Sequence, residues 1–417
     1  MNRPLNIFVP HCSGLLTDSK PHGDGLVAYE FITHLAERGH SLHVAAEQVD
    51  LASPVHANIK IYQLASRPFR GGIDRLRYMV KMRSLFHNLG KSIQFDLIHQ
   101  LNPVYTGMSL ALHGSACPIV LGPYVGDWPQ DAGGFTESSS VFRGVLSSLK
   151  RIVSYLQQRD AGALLLTTDA ARGRIVDPRG RRKTLHTLPH GVDTCLFSPG
   201  DPAADKQRPE QPTVVLFYAN ISARKGIYEL LSAFDSLGDR FPDSQLWIAG
   251  GGEELQAAKA MASTLGSCNR ISFLGKQTRQ QAAELLRKAD ICCLPSHGEP
   301  FGMTALEAMS SGLPMVVTDD GGLRWLVDDA GGIRVPVRKP ERLADALSQL
   351  ISDAGRRRAM GRHNRMRAVN EFDWNRVVSQ LESIYYSTLS AARQTEAVED
   401  LQALPLVKEL SDGGEPL

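Results

Sequence analysis

Short apolar runs alternate with amphipathic stretches along almost the whole chain. "LNIFVP" reads as a strand, "GLVAYEFITHLAERG" has apolar positions at helical spacing, and "HSLHVAAE" reads as a second strand. Gly39 ends that helix where a left-handed cap is wanted. "FDLIHQ", "PIVLGPY" and "GALLLTT" continue as strands, and Leu188-Pro189-His190-Gly191 closes the unit. A second series opens with the strand "TVVLFYAN" and the helix "GIYELLSAFDSL", followed by the strands "SQLWIAGGG" and "ISFLGK". The helix "QQAAELLRKAD", the buried strand "ICCLPS", the helix "GMTALEAMSSG" and the strand "LPMVVTDDGG" complete it. Such alternation predicts α/β domains with parallel sheets covered by helices. Two Rossmann-like halves are expected, with ligands in the crevice at the carboxyl ends of their strands.

The stretch "SPGDPAADKQRPEQP" (198–212) has no apolar period and is rich in Pro, Asp and Ala, as a linker should be. The expected division is a first domain over 1–197, the linker, and a second domain over 213–372. A helix over 373–392 is expected to pack back on the first domain, with 393–417 as a frayed tail. At 417 residues, 42% apolar and 22% charged, the chain is globular and too long for one core. A net charge of +2 gives no field for nucleic acid, and no nucleic-acid partner is expected. The six cysteines form no two-residue-spaced pair and read as buried reduced thiols. No apolar run approaches the roughly 18–20 residues of a membrane-spanning helix, and the amino-terminal run is too short for a signal peptide. The expected location is cytoplasmic.

The chemistry concentrates in "HGEPFGMTALEAMSSGLP", residues 297–314. Glu299 falls in a Gly/Pro loop after a strand, and Glu307 falls inside the next helix. The N–H groups of Gly302, Met303 and Thr304 at that helix start suit a phosphate, through both hydrogen bonds and the helix dipole. Glu307, more than one turn in, is placed to accept from a ribose diol. Glu299 faces whatever lies beyond the phosphates. In "SARKG", Lys225 follows a strand and precedes a helix, which sets an ammonium beside a helix-bound diphosphate.

These residues resemble the nucleotide-sugar motif of the retaining glycosyltransferases of family four, in which two glutamates at this spacing flank a Phe-Gly pair. "LPHGVDTCLFSP", "LFYANISARKGIYELLSAF", "FLGKQTRQQAAELLRKADICCLPS" and "TDDGGLRWLVDDAGG" are similar to the family's other blocks, in the same order. The resemblance is close over 185–335 and one of pattern in the first half. It implies a GT-B architecture, two Rossmann-like domains facing a cleft. It also implies transfer, with retention, of a sugar from a nucleotide-diphosphate donor, a UDP- or GDP-sugar, to a glycan or lipid-linked acceptor. By this resemblance Glu307 binds the ribose, Glu299 the sugar and Lys225 the diphosphate, and no metal or other cofactor is required. Gly23 and Gly25 of "DSKPHGDGLVAYEF" supply the first domain's glycine-rich approach to the diphosphate, as a loop before a helix.

Two departures stand out. Where the family commonly has Gly-Arg after the first strand of the second domain, this chain has Ala219-Asn220, and Arg224 is the nearby cation. The first domain has no histidine in "PIVLGPYVGDWPQ", which leaves Gly122, Tyr124, Asp127 and Trp128 as sugar- or acceptor-side candidates. His99 and His113 read as structural. Two basic, apolar-interleaved stretches, "FRGGIDRLRYMVKMRSLFHNLGK" and "VFRGVLSSLKRIVSYLQQRD", are candidates for peripheral contact with the inner membrane face, against the ordinary reading of core-facing helices. A non-catalytic nucleotide-sugar-binding partner and a nucleotide-sugar epimerase on the same scaffold are the rival functions.

Overall fold

The protein is described here by a computed structural model over residues 3–19, 23–101, 104, 107–126, 140–176, 184–200 and 212–403. Most of the expected linker (201–211), Asp127, Trp128 and the basic run at 179–183 lie outside the described residues.

The first sheet comprises β1 (Asn6–Val9), β2 (Ser41–Ala46), β3 (Ile59–Gln63), β4 (Leu97–Gln100), β5 (Ile119–Tyr124), β6 (Ala163–Leu166) and β7 (Thr184–Thr187). Its order is β3-β2-β1-β4-β5-β6-β7, and every pairing is parallel. The second comprises β8 (Val214–Tyr218), β9 (Gln245–Ala249), β10 (Ile271–Gly275), β11 (Ile291–Leu294), β12 (Met315–Thr318) and β13 (Gly332–Val335). It runs β10-β9-β8-β11-β12-β13, again all parallel. Strand order reverses between β1 and β4 and between β8 and β11, the places where such sheets open a crevice. The central strands are apolar without alternation because helices cover both faces. All of Ile291–Leu294 is buried, for example.

Helix α1 (Gly23–Glu37) corrects the sequence reading: Gly23 and Gly25 are its first turn, not a loop before it. Asp24 sits in that turn, where an acid complements the helix dipole. Helix α2 (Gly72–Leu89) buries Tyr78, Met82 and Phe86, as a core-facing helix should. Its opposite side is not simply polar, for Ile73, Leu76 and Val80 are 69%, 61% and 63% exposed. Helix α3 (Ser140–Arg159) likewise turns Leu149 and Ile152 outward. In the second domain, α4 (Ile227–Ser236), α5 (Leu255–Ser263), α6 (Arg279–Lys288), α7 (Met303–Ser310), α8 (Gly321–Leu326), α9 (Pro340–Ser352) and α10 (Ala354–Arg367) alternate with the strands. Thr278 and Gln281 close a reciprocal capping box at the start of α6.

The chain crosses between the domains twice, and the crossings lie side by side. Val192 N–H donates to the Phe372 carbonyl at 2.8 Å, and the Thr194 hydroxyl to the Asp373 carboxylate at 2.5 Å. Gly191 lies under Trp374, where a Cβ would come within 2.4 Å of the indole. Helix α11 (Trp374–Ala403) then inserts Val377, Val378, Leu381, Ile384 and Tyr385 into the first domain's core. It runs on past residue 392, into the stretch expected to be frayed tail, because Ala, Gln, Glu and Leu there are good helix formers. His99 bridges β4 to this helix: Tyr385 O–H donates to Nδ1 at 2.5 Å, and Nε2–H donates to the Gly122 carbonyl at 2.9 Å. Burial pushes the imidazole down to about 4, so the neutral ring makes both bonds. All six cysteines are free; Cys12, Cys292 and Cys293 are buried as expected, but Cys117 is half-buried and Cys195 and Cys268 are exposed, the last opening a 3-10 turn outside the strands.

Candidate active site

Strand β11 runs into the loop "PSHGEPFG", whose Gly298 and Gly302 take left-handed conformations at φ 71° and 102°. The loop is pressed onto the start of α8. Gly322 N–H donates to the Glu299 carbonyl at 2.6 Å. A Cβ on Gly321 would lie 2.5 Å from that oxygen, and one on Gly322 would lie 2.6 Å from Phe301 Cα. Only glycines fit there, and their smallness fixes where Glu299 stands. Helix α7 leaves Gly302 with no side-chain cap, so the Gly302–Thr304 end offers main-chain N–H groups unsatisfied within the helix.

The turn after β8 approaches the same loop. Ala223–Lys225 form a short 3-10 turn, and Gly226 follows at φ 73°. A Cβ on Gly226 would overlap the Pro295 carbonyl at 2.1 Å. This close approach lays Lys225 beside Glu299, and their side chains form an ion pair, 16% and 14% exposed. The switch point between β8 and β11 thus joins two residues far apart in sequence. Asn220 and Arg224 lie on the same turn with exposed side chains, and the Arg224 carbonyl accepts from His297 N–H at 2.8 Å.

Glu307 projects toward the first domain. It lines a narrow cavity with Leu26, Val27 and Glu30 of α1 and Arg279 and Met303 of the second domain. Arg279 Nη1 donates to Glu30 Oε1 at 2.6 Å across the cleft. Burial raises the Glu307 carboxyl to about 7; Arg279 pulls it down and Glu30 pushes it up. The structure therefore brings Lys225, Glu299, the start of α7 and Glu307 to one rim of the cleft, with α1 facing Glu307. Gly25 is buried in the first turn of α1, and Gly23 is exposed, with none of the described residues within 4 Å of its Cβ position.

The first-domain candidates fare differently. The Gly122 carbonyl is occupied by His99, and Tyr124 is buried with its phenol pushed up to about 12. His113 is exposed and holds Asp160 at 2.6 Å. Spacing gave no hint of Arg279 or Glu30: each falls within a quoted block but was given no role there, and they meet only across the cleft. His190 was legible only as part of the block "LPHGVDTCLFSP". It is buried, its ring centroid 4.7 Å from that of Phe301, and burial pushes it down to about 3. Asp320 caps α8 through Gly321 N–H at 2.8 Å, and Asp328 pairs with His363 at 2.9 Å. Among the described residues no group of three His, Cys, Asp or Glu is disposed to hold a metal ion.

Two parallel Rossmann-like sheets joined by a double crossing, with a cleft between them, define the GT-B class. The family description "Glycosyltransferase Family 4" matches residues 22–195 and "Glycosyl transferases group 1" matches 202–367. The chain belongs to this family of glycosyltransferases. It is 33% identical over 226 residues to a D-inositol 3-phosphate glycosyltransferase of Corynebacterium jeikeium, over 51% of this chain and 54% of that protein. The chain thus spans about half the length of that relative. A phosphatidyl-myo-inositol mannosyltransferase of Mycolicibacterium smegmatis is 27% identical over 86% of this chain and 90% of its own. Among solved structures, sucrose-phosphate synthase of Thermosynechococcus elongatus superposes with a TM-score of 0.72 at 20% identity, covering 94% of this chain and 100% of that one. An Anabaena protein solved with UDP and glucose gives 0.67 at 19% identity over 92% and 100%. These two likenesses show the fold.

Proposed function

We propose that the protein transfers a sugar from a UDP- or GDP-sugar, with retention and without a metal, to a phosphate-bearing polyol or lipid-linked saccharide. The observation that carries this is the convergence of Lys225, Glu299, the uncapped start of α7 and Glu307 on one rim of the cleft. The diphosphate lies against the Gly302–Thr304 amides and Lys225, drawing the ammonium from its pairing with Glu299. Glu299, released, accepts from sugar hydroxyls, and Glu307 accepts from the ribose diol. The bond between the anomeric carbon and the distal phosphate oxygen breaks, and its electron pair stays on the phosphate. The acceptor hydroxyl bonds to the anomeric carbon from the same face, and its proton passes to that phosphate oxygen. Lys225 and the helix amides stabilise the charge as it develops. Gly23 and Gly25, opening α1, supply the first domain's approach to the diphosphate. Arg224 and Asn220 border the donor from the β8 turn.

The names of the relatives support a phosphate-bearing acceptor. No described helix is long and apolar enough to cross a membrane. The exposed apolar positions of α2 and α3, among arginines and lysines, support peripheral contact at the inner membrane face.

The test is nucleotide release from a panel of UDP- and GDP-sugars in the presence of chelator. Wild type is expected to turn over at least one donor undiminished by chelator, and Lys225→Ala to be slower by about 100-fold or more. Wild-type rates in Lys225→Ala, or a strict metal requirement, would overturn this mechanism. Binding without turnover would favour a non-catalytic role.

A further inference from the structure

Two segments carry the charged donor residues, the turn after β8 with Lys225 and the loop after β11 with Glu299. The Lys225–Glu299 ion pair joins them. In the transfer described above, a diphosphate draws Lys225 out of that pair. The tie between the segments then weakens at the moment when both groups must face the donor together. A small misplacement there is costly, so another contact has to keep the two segments in register.

His297 is placed to do so. It lies two residues before Glu299, and its N–H donates to the Arg224 carbonyl at 2.8 Å. Its ring reaches on to α4, where Nε2 stands 3.1 Å from Glu229 Oε1. Glu229 is in the first turn of α4, four residues after Lys225, so this contact spans the same two segments. Both side chains are largely buried, 11% and 20% exposed. Burial works to raise the Glu229 carboxyl. The His297 contact, the Glu229 N–H and the charges of His297 and Arg338 outweigh it and hold the group below the usual carboxylate range. The start of a helix favours the anion as well. Glu229 is therefore a standing carboxylate, and the ring nitrogen facing it is the protonated one. The approach is oblique rather than in line, so the contact sets a separation more than a direction. The other sides of the loop are already fixed. Thr318 O–H donates to the Ser296 carbonyl from the end of β12, and Gly322 N–H holds the Glu299 carbonyl from α8. His297 supplies the anchor toward α4.

We propose that His297 and Glu229 form a clasp that keeps Lys225 and Glu299 within joint reach of the donor once the diphosphate has parted them. Both are then positioning residues, acting through the segments that carry Lys225 and Glu299. The proposal rests on the transferase reading above. Without nucleotide the Lys225–Glu299 pair also holds the two segments, so loss of the clasp shows chiefly in the nucleotide-bound form. A contact that served stability alone would show its loss equally in both forms.

The experiment compares wild type with His297→Leu, which removes the N–H donor, and His297→Gln, which keeps one. Amide hydrogen exchange across residues 295–302 is followed with and without saturating UDP or GDP, beside donor turnover and thermal melting. In His297→Leu the loop amides should exchange about tenfold faster than in wild type with nucleotide bound, and within about twofold of it without. Turnover should show kcat lower by about tenfold or more and donor KM changed by less than about threefold, since both groups act together in the transition state. His297→Gln should recover most of each loss. Melting should move little, because ion pairs this near the surface add little to global stability. The double variant His297→Leu/Lys225→Ala should be scarcely slower than Lys225→Ala alone, as the clasp works through that lysine. Should His297→Leu fail to fold, Glu229→Gln, which keeps the shape and removes the charge, carries the same comparison. Equal loosening in both forms, unchanged turnover, or fully multiplied losses in the double variant overturn the clasp and leave the transferase reading standing. Absence of any donor turnover by wild type strikes the transferase reading, and the clasp with it.

Discussion

The glycines at the two sides of the cleft are under opposite constraints. In the second domain a Cβ on Gly226, Gly321 or Gly322 would come within 2.1–2.6 Å of neighbouring backbone, and one on Gly302 within 2.7 Å of the Leu323 side chain, so the chain is closely stacked around Glu299 and Lys225. At the mouth of the first domain a Cβ on Gly23 would meet none of the described residues within 4 Å. The donor side is thus a rigid seat whose glycines are required by the fold. Among the described residues, the opening of α1 leaves room for a side chain at Gly23. Rigid placement on one side and clearance on the other is what a cleft needs if one half is to hold a ligand and the other to close on it.

The contrast can be tested by substitutions in decreasing order of effect. Gly322→Ala pushes a methyl against Phe301 and the Pro300 carbonyl and shifts the Glu299 loop. Transfer should fall on the order of 100-fold for a displacement near 1 Å, and thermal melting should fall too. A melting temperature and rate like those of wild type would contradict the rigid seat.

Glu307→Gln comes next, with donor binding weaker by about tenfold in titration calorimetry. It also carries a pH signature. The folded carboxyl titrates near 7 against an ordinary 4.5, so the folded state holds its proton more tightly. The stability this contributes is complete below about 4.5 and is lost as pH rises through about 7. The loss is on the order of 3 kcal/mol, and Glu307→Gln should flatten that slope in denaturant titrations. An identical slope in the variant would place the proton elsewhere.

Gly23→Ala is the mildest. It should leave the fold intact or firmer by about 0.4–1 kcal/mol, because alanine narrows the unfolded ensemble. A donor KM that moves without a change in melting would locate a ligand contact at Gly23. A clear fall in melting would show that the position is packed after all.

The parts legible in the sequence were the local ones. The strand-helix alternation, the loop "HGEPFG" and the start of α7 are encoded within a few residues, because hydrophobic period and glycine placement act at short range. Lys225 and Glu299 are farther apart; the family resemblance set both near the donor, but their direct ion pair was not foreseen. What stayed hidden were pairings between remote elements. Arg279 and Glu30 are separated by 249 positions, and His99 and Tyr385 by 286. Nothing in their neighbourhoods marks either residue of such a pair, since an arginine on an amphipathic helix looks the same whether it meets water or a carboxylate. The first turn of α1 was placed late because glycine argues locally for a loop, and tertiary packing decided otherwise.

The return of α11 has a consequence for how the molecule comes into being. Its buried residues, Val377 through Tyr385, complete a core whose other members are encoded in the first half of the gene. A ribosome that has finished the amino-terminal half has therefore made a sheet still lacking one of its covers. Only the emergence of the final helix seals it, so a message truncated shortly after residue 372 would spoil the domain translated first.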